Sequence, residues 1–532
     1  MSSEIDSAAL EAAFDENVVY FTDKDSPSKV YAEFPAFNGA CEFKSIDSED
    51  FRNYLIYRYF SISGTSDIPP LSSGIRERKV IYSYEGINPV GIASRLDGSI
   101  SEGKIYYALY DDMNRVVRTS AKGVKIIPTS KHVKFLKSPL EKEQVFSEEN
   151  GDLFTLLRPY FNISDEDFKL FVLHLIQLFS KSTSHFCSII SAPKGCGKTT
   201  MSKFMSEIIS PSIAGVTVAP ENEDDLKTVL GNSYFISFDN TAPLSQSFSN
   251  ILCSAITGAA EAKRKKFTDS DLVVLKLHNA VVINGIGVVP EKSDLADRSL
   301  LFELKPFSTG ERRSIKDLED EFERDKPLIL GSIFTTLSKA MELIDSVKTT
   351  DLFRMYDANR ELLAIGLALG LTEDEVQNFL KKNRDKLEQS YTENNTFVST
   401  IIEYVGNHGN QRGKATDLYQ KIKMFYCGSY STFPKDASHF SRKLNEEKDI
   451  LCKNGVVFLQ EKDSKTGCSM ISLISNIPSI KKTPGEMTRR TGMLPTRRSE
   501  RTHQGLSQNK QDVFMDDLLD DTDDPDESEV KA

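Results

Sequence analysis

The spacing of apolar residues changes along this chain, and the changes divide it. From Ser164, the residues Phe168, Phe171, Val172, Ile176 and Phe179 fall at helical intervals, and Ser164 with Asp167 has capping-box spacing, with Asp in place of the usual Glu. Three short apolar runs follow, HFCSIISA, SYFISFD and NAVVING, and a further one begins after Arg298. Runs this apolar predict strands covered on both faces, hence an α/β fold built on a parallel sheet, with Thr199–Ile209 as the helix after the first strand. From about Ser314 the period is helical through Lys386. Thr396–Ile474 then reads as helix, loop, helix, loop, helix and two short strands, GVVFLQEK and CSMISLIS, the order of a winged helix. The first 145 residues mix β-type runs, RKVIYSYEG and GKIYYALYDD, with a helical pattern in SEDFRNYLIYRYFSIS, and read as a small α+β domain without a motif that carries chemistry.

The expected organisation is therefore an N-terminal α+β domain (1–145), a nucleotide-binding core (146–313), a helical lid or linker (314–395), a winged-helix-like unit (396–475) and a tail (476–532). The tail is rich in Pro, Ser, Thr and charge, which predicts disorder, with an Arg-rich half before an acidic half. Its closing QDVFMDDLLDD could dock a replication-protein partner through Val513, Phe514, Leu518 and Leu519, or act only as a solubilising or DNA-mimicking acid.

Composition changes this picture little. The 532 residues are 39% hydrophobic and 27% charged, an ordinary globular balance. No run reads as the roughly 20 apolar residues of a membrane span, and the acidic start lacks the order of a secretory signal, so the expectation is a soluble cytoplasmic protein without a membrane partner. Seven scattered cysteines, odd in number and without a C-x-x-C, argue against a disulfide framework or a zinc knuckle and for a reducing compartment. The net charge of −12 does not exclude nucleic acid, because much of the acid is gathered in the tail and basic clusters stand elsewhere.

The candidate chemistry begins at SAPKGCGKTT. A strand, a glycine turn and a helix N-terminus in succession make an anion trap of backbone N–H groups. Ala192, Pro193, Lys194, Gly195, Cys196, Gly197, Lys198, Thr199 and Thr200 form the expected nucleotide loop, with Ala192 where the usual pattern has its first glycine. Lys198 is placed to reach the β/γ-phosphates of ATP, and the Thr199 hydroxyl to ligate Mg²⁺. FISFD delivers Asp239 at a strand C-terminus, as a second Mg²⁺ ligand of Walker B type or as a simple turn cap. Asn240 follows, and an amide can orient a water but cannot take its proton. Either an acid among Glu221, Glu223, Asp224 and Asp225 supplies the base, or hydrolysis is slow. Asn284 ends the third strand in position to meet a γ-phosphate or the attacking water. Arg298 could enter a neighbouring subunit's site, or only pair with Asp294 or Asp297. Between the Asp and Asn strands, Lys263, Arg264, Lys265 and Lys266 precede Phe267 and a turn, a basic tip with an aromatic that suits a nucleic-acid strand but also describes ordinary solvated surface.

The order of APKGCGKTT, FISFDN, AKRKKFTD, VVINGIG and DLADRS resembles the superfamily 3 helicase-like branch of AAA+ ATPases, and more closely the replication proteins of phages and integrated mobile elements labelled primase/helicase or ATPase. The resemblance covers about Ser184–Phe307. It implies an oligomeric Mg²⁺-ATP-driven motor, with a hexameric ring as one arrangement, whose hairpin enters a central channel and whose C-terminal unit binds single-stranded or origin DNA. Asn240 departs from the paired acids of many members. That keeps open a second reading, an ATP-switched initiator or helicase loader with little turnover. A small-molecule P-loop kinase would use neither the hairpin nor the winged helix.

Overall fold

The computed structural model describes residues 6–475, apart from positions 37, 66, 129–131, 182, 214, 240, 242–244, 265–271, 286–292, 308–312, 349–354, 427, 429–432 and 463–468. The tail and its docking candidates Val513, Phe514, Leu518 and Leu519 lie outside the described residues, as does Asn240.

The apolar runs form a five-stranded sheet in the order Thr217–Val218, Phe235–Asp239, Ala280–Gly285, Cys187–Ser191, Ser299–Glu303, with every pairing parallel. Each long strand is covered on both sides, which explains its lack of polar alternation. On one face Cys187, Ile236, Phe238, Val281 and Ile283 pack with Leu226, Leu230, Ile251 and Leu252 of helices Glu223–Asn232 and Gln246–Thr257. On the other, Ile190, Val282 and Phe302 join a larger core with helices Asp165–Gln177, Lys198–Ile209 and Ile315–Leu343. Ser164 caps the first of these helices, accepting from the Asp167 N–H as the spacing predicts. Because all five strands run the same way, Ser191, Asp239, Gly285 and Glu303 finish at one edge of the sheet.

The helical stretch is present as Ile315–Leu343, Tyr356–Ala368 and Glu373–Asn394, the last opened by a Thr372/Glu375 capping box. By length and composition alone, helix Ile315–Leu343 with its continuation to Ser346 is long and apolar enough to cross a bilayer, a criterion that a buried core helix also meets. Its polar first turns hide an apolar window of mean hydropathy 1.3, and 67% of that window is buried inside the protein. Gly331 lets this helix approach the chain closely: a Cβ there would stand 2.2 Å from Glu149 O and 2.3 Å from Ser147 O.

The N-terminal region is α+β, but one expected strand is a helix. RKVIYSYEG belongs to helix Leu71–Glu85, which ends at the left-handed Gly86. Its buried positions Leu71, Ile75 and Arg78 recur at helical spacing, whereas the β-type residues Val80 and Tyr84 are exposed. The other run, in GKIYYALYDD, is a strand, Lys104–Ala108, within the antiparallel sheet Leu96–Ser99, Lys104–Ala108, Val116–Ser120, Gly123–Ile127. The core is continuous across residue 145, since Leu96, Ile105, Tyr107 and Val117 share one cluster with Phe171, Phe204 and Phe334.

From Thr396 the order is helix Thr396–His408, strand Gln411–Lys414, helices Ala415–Phe425, Ala437–Glu446 and Lys448–Lys453, then strands Val456–Lys462 and Ser469–Ser475. The last strand pairs antiparallel with both others. Gln411–Lys414 gives no strand signal in the sequence, because QRGK is polar throughout and has no buried residue.

Glu361, on helix Tyr356–Ala368, ties three parts of this fold together. It accepts hydrogen bonds from Ser101 N (3.2 Å), Ser101 Oγ (3.0 Å) and Thr183 Oγ1 (2.7 Å). Burial pushes its carboxyl up to about 7. A carboxyl raised in the folded state contributes stability that is complete below its unfolded value and lost as pH rises through the folded one. The thermal unfolding midpoint of wild type relative to Glu361→Gln is therefore expected to fall as pH rises from about 4.5 to about 7, with the two proteins matched below that window and the Gln variant the more stable above it.

Candidate functional site

The chain leaves strand Cys187–Ser191 and turns at once into helix Lys198–Ile209. Gly195 (φ +81°) and Gly197 (φ +87°) are left-handed, the conformation that favours glycine. Ala192 shows no positive φ and is buried, so the substitution at the first glycine position involves no strain. Gly197 caps the helix without a side-chain acceptor, and the first helical bond runs from Met201 N to Gly197 O. The first-turn N–H groups thus have no intrahelical partner and face out of the positive end of the helix dipole. Cys196 is buried beneath the turn, while Pro193, Lys194 and Gly195 are exposed. The Phe307 ring covers Gly197, with carbons 3.6 Å from where a Cβ would stand.

Two side chains close on this turn. Lys198 Nζ donates to Ala192 O (2.8 Å) and Pro193 O (3.0 Å), folding back across the loop. Thr199 Oγ1 donates to Asp239 Oδ2 at 2.8 Å, so a helix hydroxyl and a strand-end carboxylate converge beside the uncapped helix end. Such hard oxygen donors suit Mg²⁺, and the N–H groups with Lys198 suit a polyphosphate. Thr200, next along the helix, is half-buried.

Asn284 is placed differently from the expectation of a group facing a ligand. It is fully buried, and its Nδ2 donates to Ser202 Oγ at 2.8 Å, while its main-chain oxygen accepts from Thr241 N at 3.0 Å. Ser202 lies on the loop helix, so this bond fastens the third strand to the helix that carries Lys198 and Thr199. A serine in a helix gives no sequence signal for such a role. The acids Glu221, Glu223, Asp224 and Asp225 are all exposed, at and before the N-terminus of helix Glu223–Asn232, where Asn222 caps Asp225 N.

Arg298 realises the pairing alternative. It bonds the Asp294 carboxylate, donates to Asp294 O at 2.9 Å, and lies 4.0 Å from Cys253 Sγ. Strands Ala260–Arg264 and Leu272–Lys276 form a separate antiparallel hairpin, with Arg264 opposite Leu272. This puts Lys263 and Arg264 near its tip; Lys265, Lys266 and Phe267 lie outside the described residues. No cluster of three or more His, Cys, Asp or Glu residues able to hold a metal occurs among the described residues.

Residues 155–375, less than half of the chain, match the model of the actinomycete integrative conjugative element replication protein. No curated protein matches the chain. Among solved structures, the apo C-terminal region of NrS-1 is 11% identical, covering 88% of this chain and 99% of that one, with a TM-score of 0.38. JCV helicase, bound to a thiazolopyridine-phenoxyphenyl acetamide, is 14% identical over 43% of this chain and 66% of that one, with a TM-score of 0.22. TM-scores this low do not define a shared fold.

Replacing Asn284 with Ala leaves Ser202 Oγ without this partner at a fully buried site. The expected loss is about 1–3 kcal/mol of stability, read as a lower denaturation midpoint with unchanged slope.

Proposed function

We propose that this chain is a Mg²⁺-dependent ATPase that acts as a helicase-like motor on DNA during replication of a mobile element. The observation that carries the reading is the 2.8 Å approach of Thr199 Oγ1 and Asp239 Oδ2 at the mouth of an uncapped, glycine-turned helix. The match of residues 155–375 to a replication protein of integrative conjugative elements supports the setting.

In this reading the N–H groups of Gly195–Thr200 bind the phosphates, and Lys198 exchanges its two carbonyl acceptors for phosphate oxygens. Thr199 and Asp239 would hold Mg²⁺, which when bound neutralises charge on the phosphate oxygens. Asn284 acts through Ser202, so the third strand senses the site by way of the loop helix. The C-terminal order of helix, strand, helices and two strands, with the first strand paired to the last, fits a winged-helix unit for DNA. The hairpin Ala260–Lys276 offers a second DNA-binding element through Lys263, Arg264, Lys265, Lys266 and Phe267. A trans role for Arg298 in a homo-oligomer or hexameric ring requires it to give up Asp294.

One observation favours the ATP-switched initiator or loader as a second reading. Asn240 follows Asp239, and the nearby acids 221–225 are solvent-exposed rather than held at the strand edge. Phosphate release measured with and without single-stranded DNA separates the two: a motor accelerates on the strand, while a switch forms ATP-dependent oligomers with near-zero turnover in both conditions. For the motor, Lys198→Ala is expected to lower the rate by about 10²-fold or more. Combined Lys263→Ala, Arg264→Ala and Lys265→Ala is expected to weaken binding of single-stranded DNA and to flatten its salt dependence by about 0.7 in log–log slope for each phosphate no longer neutralised. Binding that ignores the triple change removes the hairpin from the reading.

A further inference from the structure

The antiparallel sheet of the N-terminal region carries a groove on the face opposite the main core, beside the small buried cluster of Ala93, Tyr106, Val116 and Val133. Period two sends Ile105, Tyr107, Val117 and Thr119 inward and leaves Lys104, Tyr106, Arg118 and Ser120 on the other face. There, Lys104, Tyr106, Arg118, Lys122, Ile127 and His132 line an open cavity of about 690 Å³. Tyr106 stands opposite Arg118, which stands opposite Lys125 on the next strand. The buried Tyr106 forms the floor, with the His132 ring 6.5 Å from its own.

Many cations of this region are ion-paired, among them Lys44, Arg58, Arg78, Lys79, Arg95, Arg115 and Lys134. Among the described residues Lys104, Arg118 and Lys122 have no acidic partner, and no carboxylate lines the groove. Like charges gathered on one face repel one another, and an anion lying between them relieves that repulsion.

We propose that this groove binds single-stranded nucleic acid, with Lys104, Arg118 and Lys122 on successive phosphates and a base against His132 and the Tyr106 floor. The cations are spread over two strands and a turn rather than converging on one point, which fits a repeated anion better than a single phosphate. An acidic peptide would meet the charge but has no ring for the aromatic floor. The ligand class rests on the proposed DNA-directed function; the site rests on its own geometry.

The test uses the full chain without nucleotide, a fluorescent oligothymidylate and a series of salt concentrations. Combined Lys104→Gln, Arg118→Gln and Lys122→Gln is expected to weaken binding about tenfold or more at low salt and to reduce the log–log salt slope by about 2. A photo-reactive bromodeoxyuridine strand is expected to crosslink wild type between residues 104 and 132, a readout that does not depend on how the variant folds. Wild type that binds, with the variant unchanged and crosslinks confined elsewhere, overturns the groove alone and leaves an acidic peptide as the occupant its charge would fit. Wild type that binds no strand at all overturns both the groove and the DNA-directed reading.

Discussion

The backbone ladders that hold Cys187–Ser191 between two parallel neighbours set the geometry of everything around the glycine turn. Ser191 is in register with Gly285 on one side and Glu303 on the other, and Asp239 lies one strand further out. With strands about 4.8 Å apart, the carboxylate is about 10 Å from the loop strand in the plane of the sheet. Nothing on the loop strand itself can reach it. The helix that follows the turn can, because it leaves the sheet edge and leans back over the intervening strand. Thr199 and Ser202 are three residues apart and so share a helix face. The first bonds Asp239, the second Asn284, and one helix face thereby fastens the two strands on that side of the loop strand to the loop helix.

This arrangement explains what could be read in advance and what could not. Strands covered on both faces must be apolar throughout, so Cys187–Ser191, Phe235–Asp239 and Ala280–Gly285 were visible as runs, and Asp239 and Asn284 near their ends marked the edge at which the glycine turn also lies. The glycine turn was visible because left-handed φ leaves few residue choices at 195 and 197. The partner of Asn284 was not, since it depends on a helix face meeting a strand distant in sequence. RKVIYSYEG misled because its exposed β-branched and aromatic residues outnumber its single buried one, Arg78. That arginine is held by Glu11 (2.8 Å) and Asp15 (2.9 Å), a pairing no local pattern announces. For Arg298 the spacing to Asp294 is a single helical turn, and within the chain the two are paired.

The N-terminal region carries no motif, yet it is built into the far end of the loop helix. The last carbonyls of a helix need donors. Here Gln144 Nε2 donates to Glu207 O (2.9 Å) and Ile208 O (3.1 Å), and Tyr107 OH donates to Ile209 O (3.1 Å). Lys142 and the buried Lys326 pair with the Glu207 carboxylate at 3.0 Å and 3.5 Å, which adds the long helix Ile315–Leu343 to the same joint. A residue such as Gln144 looks like surface in the sequence; its burial follows only from the helix end it caps.

A helix held in this way at both ends cannot respond to its mouth alone. If Lys198 and Thr199 move to engage phosphate, the helix either carries Ser202 and Asn284 with it or turns against the Gln144 and Tyr107 donors behind. Both outcomes transmit the change away from the loop, one into the sheet and the other into the N-terminal region. In the second direction the path is short. Tyr107, which touches the helix end, is the strand neighbour of Tyr106, which floors the cationic groove on the opposite face. Adjacent residues of one strand share a rigid backbone, so a strand of nucleic acid resting on Tyr106 would bear on the same element that closes the loop helix. If the proposed groove and loop are coupled in this way, the coupling is reciprocal: an occupant of the groove that changed phosphate binding would have its own binding changed by phosphate by the same factor.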